Sequence, residues 1–256
     1  MRRLMISLFA SLVLVTPVAY AAADKKPVVV EVSPISDPIE PFNRAVFQFN
    51  KFVDMAVLKP ATSVYDFILP GFVRHGVSNF LSNLNAPIVM MNSLLQADFA
   101  NFELTLRRFV VNSTLGLGGV NDVATSLKMP MNVKSDFGQT LGVWGAGHGF
   151  YLVLPIIGPS SARDGTGRAV DTVSDPFNIV WHDSETEWPI YTRAGLAVID
   201  SRSRNGAAYD DVMKTSVDPY VTFRSIYAQI LAYMVQYRSS NSYEATEGRY
   251  TCVTLS

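Results

Sequence analysis

Apolar and polar residues alternate with the spacing of α-helices along most of the chain. The first such stretch begins at Pro41, a residue that suits the first turn of a helix. Lys59-Pro60 is expected to end it, because the residue before a proline avoids helical geometry. Four apolar residues share one face of this helix: Phe42, Val46, Phe49 and Val53. Such a stripe either packs on the protein's own core or lies in a membrane interface, and the spacing leaves both interpretations open.

The same periodicity predicts several further helices. Their predicted ranges are 73–84, 87–95, 99–110, 168–174, 190–200 and 219–238. Glycines at 116–119 are expected to end the third of these helices, and Asn205-Gly206 is expected to separate the last two. The pattern therefore predicts a largely helical protein, and a chain of 256 residues usually forms one or two domains.

Charged residues in these helices have structural interpretations. Arg107 and Arg108 are expected to point away from the apolar stripe of their helix. Two adjacent arginines can bind a phospholipid phosphate, but a solvated helix face is the commoner explanation. Asp175-Pro176 and Asp218-Pro219 each combine a capping carboxylate with a proline suited to the first helical turn. These aspartates are therefore predicted to cap helices rather than to act in catalysis.

One stretch, residues 136–164, departs from the helical pattern. Six glycines and two prolines punctuate it, and an apolar run lies at 150–157. This composition indicates a turn-rich apolar hairpin between two helical regions. The segment Gly145-Ala-Gly147-His-Gly149 loosely resembles a phosphate-binding loop, but it has no lysine and an apolar run follows it directly, so a structural turn is the better interpretation. An apolar connection of this kind must be covered by protein or must meet lipid.

The composition is unusually apolar for a water-soluble protein. Apolar residues make up 48% of the 256 residues and charged residues 17%, against about 25% charged residues in ordinary soluble domains. The formal net charge of −1 gives no reason to expect a nucleic-acid partner.

The two ends of the chain are predicted to lie outside the folded domain. Residues 1–21 combine two arginines, a short apolar run and a small-residue cleavage signature that ends at Ala21, which is typical of a signal peptide. The apolar run is too short to span a bilayer. Residues 22–36 are predicted to form an extended linker, residues 37–240 the helical domain, and residues 241–256 a polar tail.

The search for catalytic chemistry gives no candidate. The three histidines are far apart in sequence and none has the spacing of a metal site on one helix face. No nucleophile elbow is present, and no base can be assigned to the serines that follow the hairpin. We therefore predict no enzyme activity, no catalytic or metal-binding residue, and no cofactor.

Four segments together resemble the MlaA/VacJ family of outer-membrane phospholipid-transport proteins. These segments are Asp37–Arg44, Asn112–Ala124, Asp136–Asp164 and Ser216–Tyr220, and they occur in the order of the family. The resemblance covers about residues 36–237, and several ordered motifs are far more specific than one short pattern.

The resemblance implies both a fold and a function. It implies an all-α fold, a single domain of amphipathic helices that form a ring around a polar channel, with a Gly/Pro-rich hairpin, placed in the periplasmic leaflet of the outer membrane. It also implies that the protein takes mislocalised phospholipid from the outer leaflet and passes it to a soluble periplasmic carrier, and that it associates with trimeric porins. Typical members carry a lipidated cysteine directly after the signal peptide, whereas the single cysteine of this chain is Cys252.

Transfer of lipid through such a ring requires an element that opens and closes the passage. We expect the hairpin to border the lipid pathway and to hinge at its glycines, or else the glycines only allow tight packing. The residues concerned are Gly145, Gly147, Gly149, Leu152, Leu154, Pro155 and Ile156. The alternative function is that of a periplasmic interaction or scaffold protein whose apolar stripes pack inward. The missing cysteine favours this alternative, and the motif coverage favours lipid transport.

Overall fold

Most of the described chain is helical, and one short β-hairpin packs among the helices. A computed structural model describes residues 35–182, 186–232 and 234. The helices are α1 (Glu40–Val53), α2 (Lys59–Ile68), α3 (Gly71–Leu84), α4 (Ala86–Leu95), α5 (Phe99–Thr114), α6 (Val123–Ser126), α7 (Phe137–Val143), α8 (Ala162–Ser174), α9 (Pro176–His182), α10 (Trp188–Thr215) and α11 (219–232). The strands β1 (Tyr151–Leu154) and β2 (Gly158–Ser161) pair antiparallel. The predicted all-α class is confirmed.

Three predicted segments fall largely outside the described residues. These are the signal peptide with its cleavage after Ala21, the linker up to residue 34, and the tail from residue 241. The predicted end of the last helix at 238 also lies outside them. Ser36, at the end of the predicted linker, is described, and its carbonyl accepts a hydrogen bond of 2.8 Å from the backbone N–H of Tyr151.

The first helix does not end at Lys59-Pro60, and that prediction is wrong. A π-helical turn, Asp54–Leu58, joins α1 directly to α2. The backbone N–H of Lys59 donates to the carbonyl of Asp54, five residues back. This wider turn makes room for the ring of Pro60, which lies in the first turn of α2, where a missing N–H costs little.

The predicted break at Asn205-Gly206 is also wrong, because α10 continues through it. Gly206 is buried, and a Cβ atom there would lie 2.2 Å from Nη1 of Arg202. The glycine thus leaves space for a guanidinium that pairs with Asp54 at 2.6 Å and with Asp210 at 2.7 Å. Interior glycine costs a helix about 1 kcal/mol, which these ion pairs offset.

The two predicted aspartate caps are confirmed. Oδ1 of Asp175 accepts a hydrogen bond of 3.0 Å from the backbone N–H of Phe177. Oδ1 of Asp218 accepts one of 3.0 Å from the backbone N–H of Tyr220. A third cap, Ser161, starts α8 at Ala162 instead of residue 168.

The core lies where α1, β1 and α11 meet. Phe47, Tyr151, Val153 and Tyr220 form one buried cluster. The rings of Phe47 and Tyr220 pack edge to face with centroids 5.7 Å apart, and those of Tyr151 and Tyr220 do so at 6.0 Å. This small aromatic core holds the hairpin against the first and last described helices.

Outside this core, the distribution of polar and apolar side chains between interior and surface is the reverse of that in a water-soluble protein. Within the described chain, buried polar residues outnumber buried apolar ones. Large apolar side chains are exposed instead, and Phe67 and Phe72 reach 91% and 78% exposure. Extended apolar surface of this kind indicates contact with lipid or with another protein. No described helix has both the length and the apolar composition needed to cross a membrane.

Candidate functional site

A polar cavity of about 430 Å³ opens between α3, α4, α5 and α10. We call it the first cavity. Its wall carries amides and charges, among them Asn79, Asn83, Asn112, Asn132, Lys134 and Arg204. The four asparagines donate hydrogen bonds within the protein and Arg204 pairs with Asp200, so the wall is polar and its hydrogen bonds are largely satisfied internally.

Arg108 is the best-anchored charge of this wall. Its Nη2 donates to both carboxylate oxygens of Asp122 at 2.9 Å, and its Nη1 donates to the backbone carbonyls of Met129 and Pro130. The side chain is only 8% exposed. The expectation of a solvated face is therefore wrong for Arg108 and holds for Arg107, which is exposed and pairs with Glu103.

The segment Asn112–Ala124 builds the border of the first cavity. Nδ2 of Asn112 donates to Asp122 at 3.1 Å, and its Oδ1 accepts from the backbone N–H of Ala124 at 2.9 Å. Burial alone would raise the pKa of the Asp122 carboxyl. Hydrogen bonds from Thr125 and Asn112, with the charge of Arg108, outweigh burial and hold that pKa below its usual value.

A second cavity, of about 440 Å³, lies beneath the tip of the hairpin. Its apolar wall includes Phe47, Leu58, Ile156 and Ile157, and its charged residues are Asp54, Arg168 and Arg202. Ala197 of α10 borders both cavities, so this helix presents neighbouring faces to each. The two cavities together combine a polar wall with an apolar one.

Arg202 neutralises the carboxylate of the second cavity. Its Nε and Nη2 donate to the two oxygens of Asp54 at 2.6 and 3.2 Å. Nη2 also donates to Asp210, which pairs with Lys59 at 3.2 Å. The hydrogen bonds that Arg202 donates to Asp54 raise the pKa of Arg202 despite burial. The guanidinium is therefore permanently charged and is held by two carboxylates.

The hairpin places its alternate residues on opposite faces. Tyr151 and Val153 enter the core, while a Cβ atom on Gly165 of α8 would contact Leu152 at 3.7 Å and Leu154 at 3.9 Å. Ile156 at the tip is 52% exposed and has a φ of 66°, which β-branched residues rarely adopt. Such strain is concentrated at functional positions in proteins.

The predicted hinge glycines lie in the loop between α7 and β1. Gly145 and Gly149 have φ values of 96° and 70°, in the region that favours glycine. A Cβ atom at Gly145 or Gly147 would meet nothing within 4 Å, so these positions are not packed tightly. Pro155 precedes Ile156 at the opposite end of β1. The role of these residues in a lipid pathway stays a prediction.

Two asparagines of α1 hold the hairpin, and sequence reasoning missed both. Asn43 donates to the carbonyl of Tyr151 and accepts from the N–H of Val153, each at 2.9 Å. Asn50, two turns later, donates to the carbonyl of Leu154 at 2.9 Å and accepts from the N–H of Ile156 at 2.7 Å. We call Asn43 and Asn50 the asparagine clamp. Their helical spacing, on a face separate from Phe42 and Phe49, was the signal available in the sequence.

Asp37 connects two of the sequence motifs. It accepts hydrogen bonds from Asn43 and Arg224, both at 2.8 Å, and from the hydroxyl of Tyr220. Burial would raise the pKa of the Asp37 carboxyl, but the hydrogen bonds from Tyr220, Asn43 and Arg224 outweigh it and lower that pKa. Asp37–Arg44 and Ser216–Tyr220 are therefore adjacent in space because they share one buried carboxylate.

The four residues predicted to face a membrane do not share one environment. Phe42 and Phe49 are 59% and 51% exposed. Val46 packs against the core cluster, and Val53 is half-buried. The interpretation in which this helix packs wholly on the protein's own core is therefore wrong for Phe42 and Phe49. Their contact with lipid stays a prediction. Among the described residues, no group of three or more histidine, cysteine, aspartate or glutamate side chains is placed to hold a metal ion.

A sequence model of the family described as MlaA lipoprotein matches residues 35–234. The chain belongs to the MlaA lipoprotein family. The matched range includes both cavities, the hairpin and the asparagine clamp. All the features described above therefore lie in the part of the chain that matches the MlaA family.

Individual relatives agree with this assignment. The chain is 35% identical over 201 residues to the intermembrane phospholipid transport system lipoprotein MlaA of Escherichia coli, covering 76% of each chain. It is 32% identical over 208 residues to the protein of the same name from Haemophilus influenzae, covering 80% of this chain and 81% of the relative. It is 36% identical over 203 residues to an uncharacterized protein of Rickettsia conorii, covering 79% of each.

A solved structure also resembles this member of the MlaA family. It is described as the structural basis for maintenance of bacterial outer membrane lipid asymmetry. The two superpose with a TM-score of 0.67 at 33% sequence identity, over 77% of this chain and 98% of the other. The similarity therefore extends from the sequence to the arrangement of the helices.

Proposed function

We propose that the protein is the outer-membrane component of an intermembrane phospholipid transport system. It removes mislocalised phospholipids from the outer leaflet and so maintains lipid asymmetry. The observation that carries this proposal is the inverted distribution of polarity, with buried polar side chains and the polar first cavity inside and large apolar side chains outside. The names of the relatives from Escherichia coli and Haemophilus influenzae point to the same process.

In this proposal the helices form a ring around a polar channel, and the two cavities are parts of that channel. The polar headgroup passes along the walls of the cavities, because moving it through hydrocarbon is costly. The apolar exterior rests in the periplasmic leaflet of the outer membrane. A soluble periplasmic carrier receives the lipid, and a trimeric porin holds the ring in place. No catalytic step is required.

Membrane attachment in this proposal does not depend on a lipidated cysteine. A single acyl chain gives only marginal, reversible membrane binding. Burying one large apolar side chain contributes about 1.5–3 kcal/mol, so partial insertion of Phe42, Phe49, Phe67 and Phe72 rivals one acyl chain. The scaffold alternative requires stripes that pack inward, and these exposed phenylalanines do not support it.

Placing a charge on the outer face of α1 is expected to weaken membrane association without unfolding the protein. Phe49→Asp places a carboxylate where we propose contact with lipid, and the side chain of Phe49 is 51% exposed and is not among the residues of the core cluster. We expect a shift of the protein from the membrane to the soluble fraction in carbonate extraction, with unchanged helical circular dichroism. Gln48→Asp, at the adjacent exposed position, is the matched control. Loss of helical signal in Phe49→Asp would mean that the residue belongs to the core.

Fixing the hairpin to α1 is expected to stop lipid transport. The side chain of Asn50 accepts a hydrogen bond from the backbone N–H of Ile156, so we choose Asn50→Cys with Ile156→Cys, in a Cys252→Ser background, as the pair to crosslink, and non-reducing electrophoresis measures how much disulfide forms. Cells that lack the protein are expected to accumulate phospholipid in the outer leaflet, and Cys252→Ser protein is expected to prevent this. The oxidised double-cysteine protein is expected to fail, and reduction is expected to restore it.

The two single-cysteine variants control for loss of the asparagine and of the isoleucine. If the disulfide forms efficiently and transport continues, the hairpin is structural and its gating role is wrong. If cells without the protein accumulate no phospholipid, the proposed function itself is wrong.

A further inference from the structure

Arg168 differs from the other arginines that line the two cavities. Each of those has a carboxylate partner within 2.9 Å, and they are Arg108, Arg193, Arg202 and Arg204. Arg168 is exposed on α8 and borders the second cavity. Within the part of the chain that the structure describes, no carboxylate pairs with it. Its guanidinium is therefore available to a ligand.

The second cavity offers no free carboxylate to a cationic group. Asp54 is the acidic residue among its described lining residues, and both of its oxygens are engaged by Arg202. The remaining charge on the wall is that of Arg168. The cavity therefore favours a ligand with a net negative charge and gives an ammonium group no partner.

Apolar side chains cover another part of the same wall. Ile156 and Ile157 at the hairpin tip are about half exposed, and Phe47 and Phe223 lie at the base. A free anion such as phosphate gains nothing from this surface, whereas a hydrocarbon chain does. The volume of about 440 Å³ falls within the roughly 300–1,000 Å³ typical of small-molecule sites.

We propose that the second cavity binds an amphipathic phosphodiester, with the phosphate on Arg168 and the first carbons of the acyl chains on the hairpin tip. This inference rests on the proposed function and adds a headgroup preference to it. An anionic headgroup such as phosphatidylglycerol binds more tightly than a zwitterionic one, because the ammonium of the latter meets no free carboxylate. Arginine suits the role because its planar fork matches two phosphate oxygens.

The test measures binding of short-chain lipids to the purified full-length protein by titration calorimetry in a non-ionic detergent. The probes are dihexanoyl phosphatidylglycerol, dihexanoyl phosphatidylcholine, inorganic phosphate and uncharged dihexanoylglycerol. We expect phosphatidylglycerol to bind most tightly and inorganic phosphate not to bind measurably. Arg168→Gln is expected to weaken phosphatidylglycerol about tenfold or more, as expected for a charge-assisted hydrogen bond. Arg168→Lys is expected to recover part of this loss.

Arg168→Gln is expected to leave the fold intact, because Arg168 forms no ion pair among the residues that the structure describes. Arg107→Gln, which removes a guanidinium outside both cavities, controls for net charge and is expected to bind as the wild type does. Unchanged affinity in Arg168→Gln would overturn the proposal, and so would inorganic phosphate that binds as tightly as the lipid. Equal affinity for the two headgroups would overturn the preference.

These outcomes are separable from failure of the proposed function. A protein that prevents accumulation of phospholipid in cells, yet binds lipid independently of Arg168, retains the function and loses this site. A protein that has no effect on phospholipid in cells loses the function, whatever its affinity for phosphatidylglycerol.

Discussion

Replacing Arg108 with alanine is expected to lower the free energy of unfolding by about 3–5 kcal/mol, the usual cost of removing one partner of a buried ion pair. The variant leaves Asp122 in a half-buried site without its main cation, and it leaves the carbonyls of Met129 and Pro130 without a donor. The variant also removes one of the effects that hold the pKa of the Asp122 carboxyl low against burial, while the hydrogen bonds from Thr125 and Asn112 remain. Denaturant unfolding followed by circular dichroism in detergent measures the loss.

The neighbouring residue supplies the control. Arg107 lies one position earlier on the same helix and pairs with Glu103 on the surface, where side chains are 56% and 62% exposed. Arg107→Ala is expected to change the free energy of unfolding by less than about 0.5 kcal/mol. Equal effects for the two arginines would contradict the anchoring role given to Arg108 in the first cavity.

Asn43→Asp is expected to destabilise the protein by a similar amount, about 3–5 kcal/mol. The side chain of Asn43 is fully buried and donates to Asp37 and to the carbonyl of Tyr151. An aspartate has no N–H to donate, and it places a second carboxylate against that of Asp37. Both effects act at the place where α1, the hairpin and α11 are connected through Asp37 and Asn43.

The pH dependence of this variant identifies the cause. Repulsion between the two carboxylates raises the pKa of the new one above its unfolded value, so its penalty is largest at neutral pH and falls as the group is protonated. The difference from the wild type is therefore expected to shrink as the pH is lowered. Gln48→Glu makes the same chemical change at an exposed position of α1 and is expected to have little effect. A pH-independent loss would point to the missing donor alone.

The sequence predicts helices well where their stability is local. The segments 73–84 and 87–95 appear as α3 and α4, because apolar spacing and a proline at the start determine them. The π-helical turn and the unbroken α10 were not predicted because Arg202 of α10 pairs with Asp54 of that turn, 148 residues away, as well as with Asp210 of its own helix. Propensity at Pro60 and Gly206 cannot show a partner so distant in sequence.

The direction of each helix face was harder to predict than the helix itself. Sequence reasoning placed Arg108 in solvent because charged residues usually face water. In this fold the exterior is apolar, so Phe99 is 66% exposed while Arg108 is buried. The periodicity identifies two faces of a helix but not which one is inside. The cavities could not be predicted for a further reason: their lining residues come from helices far apart in the chain.

The asparagine clamp also has a consequence for association with other chains. A two-stranded ribbon with a free edge is a template for pairing with another strand. Here Ser36, Asn43 and Asn50 occupy the polar groups along that edge of β1. At about 1 kcal/mol for each hydrogen bond, the four bonds of the clamp contribute about 4 kcal/mol to holding this edge, in addition to the burial of Tyr151 and Val153 in the core. The clamp thereby ends the sheet at two strands, because it occupies the edge of β1 at which a strand of another chain would pair.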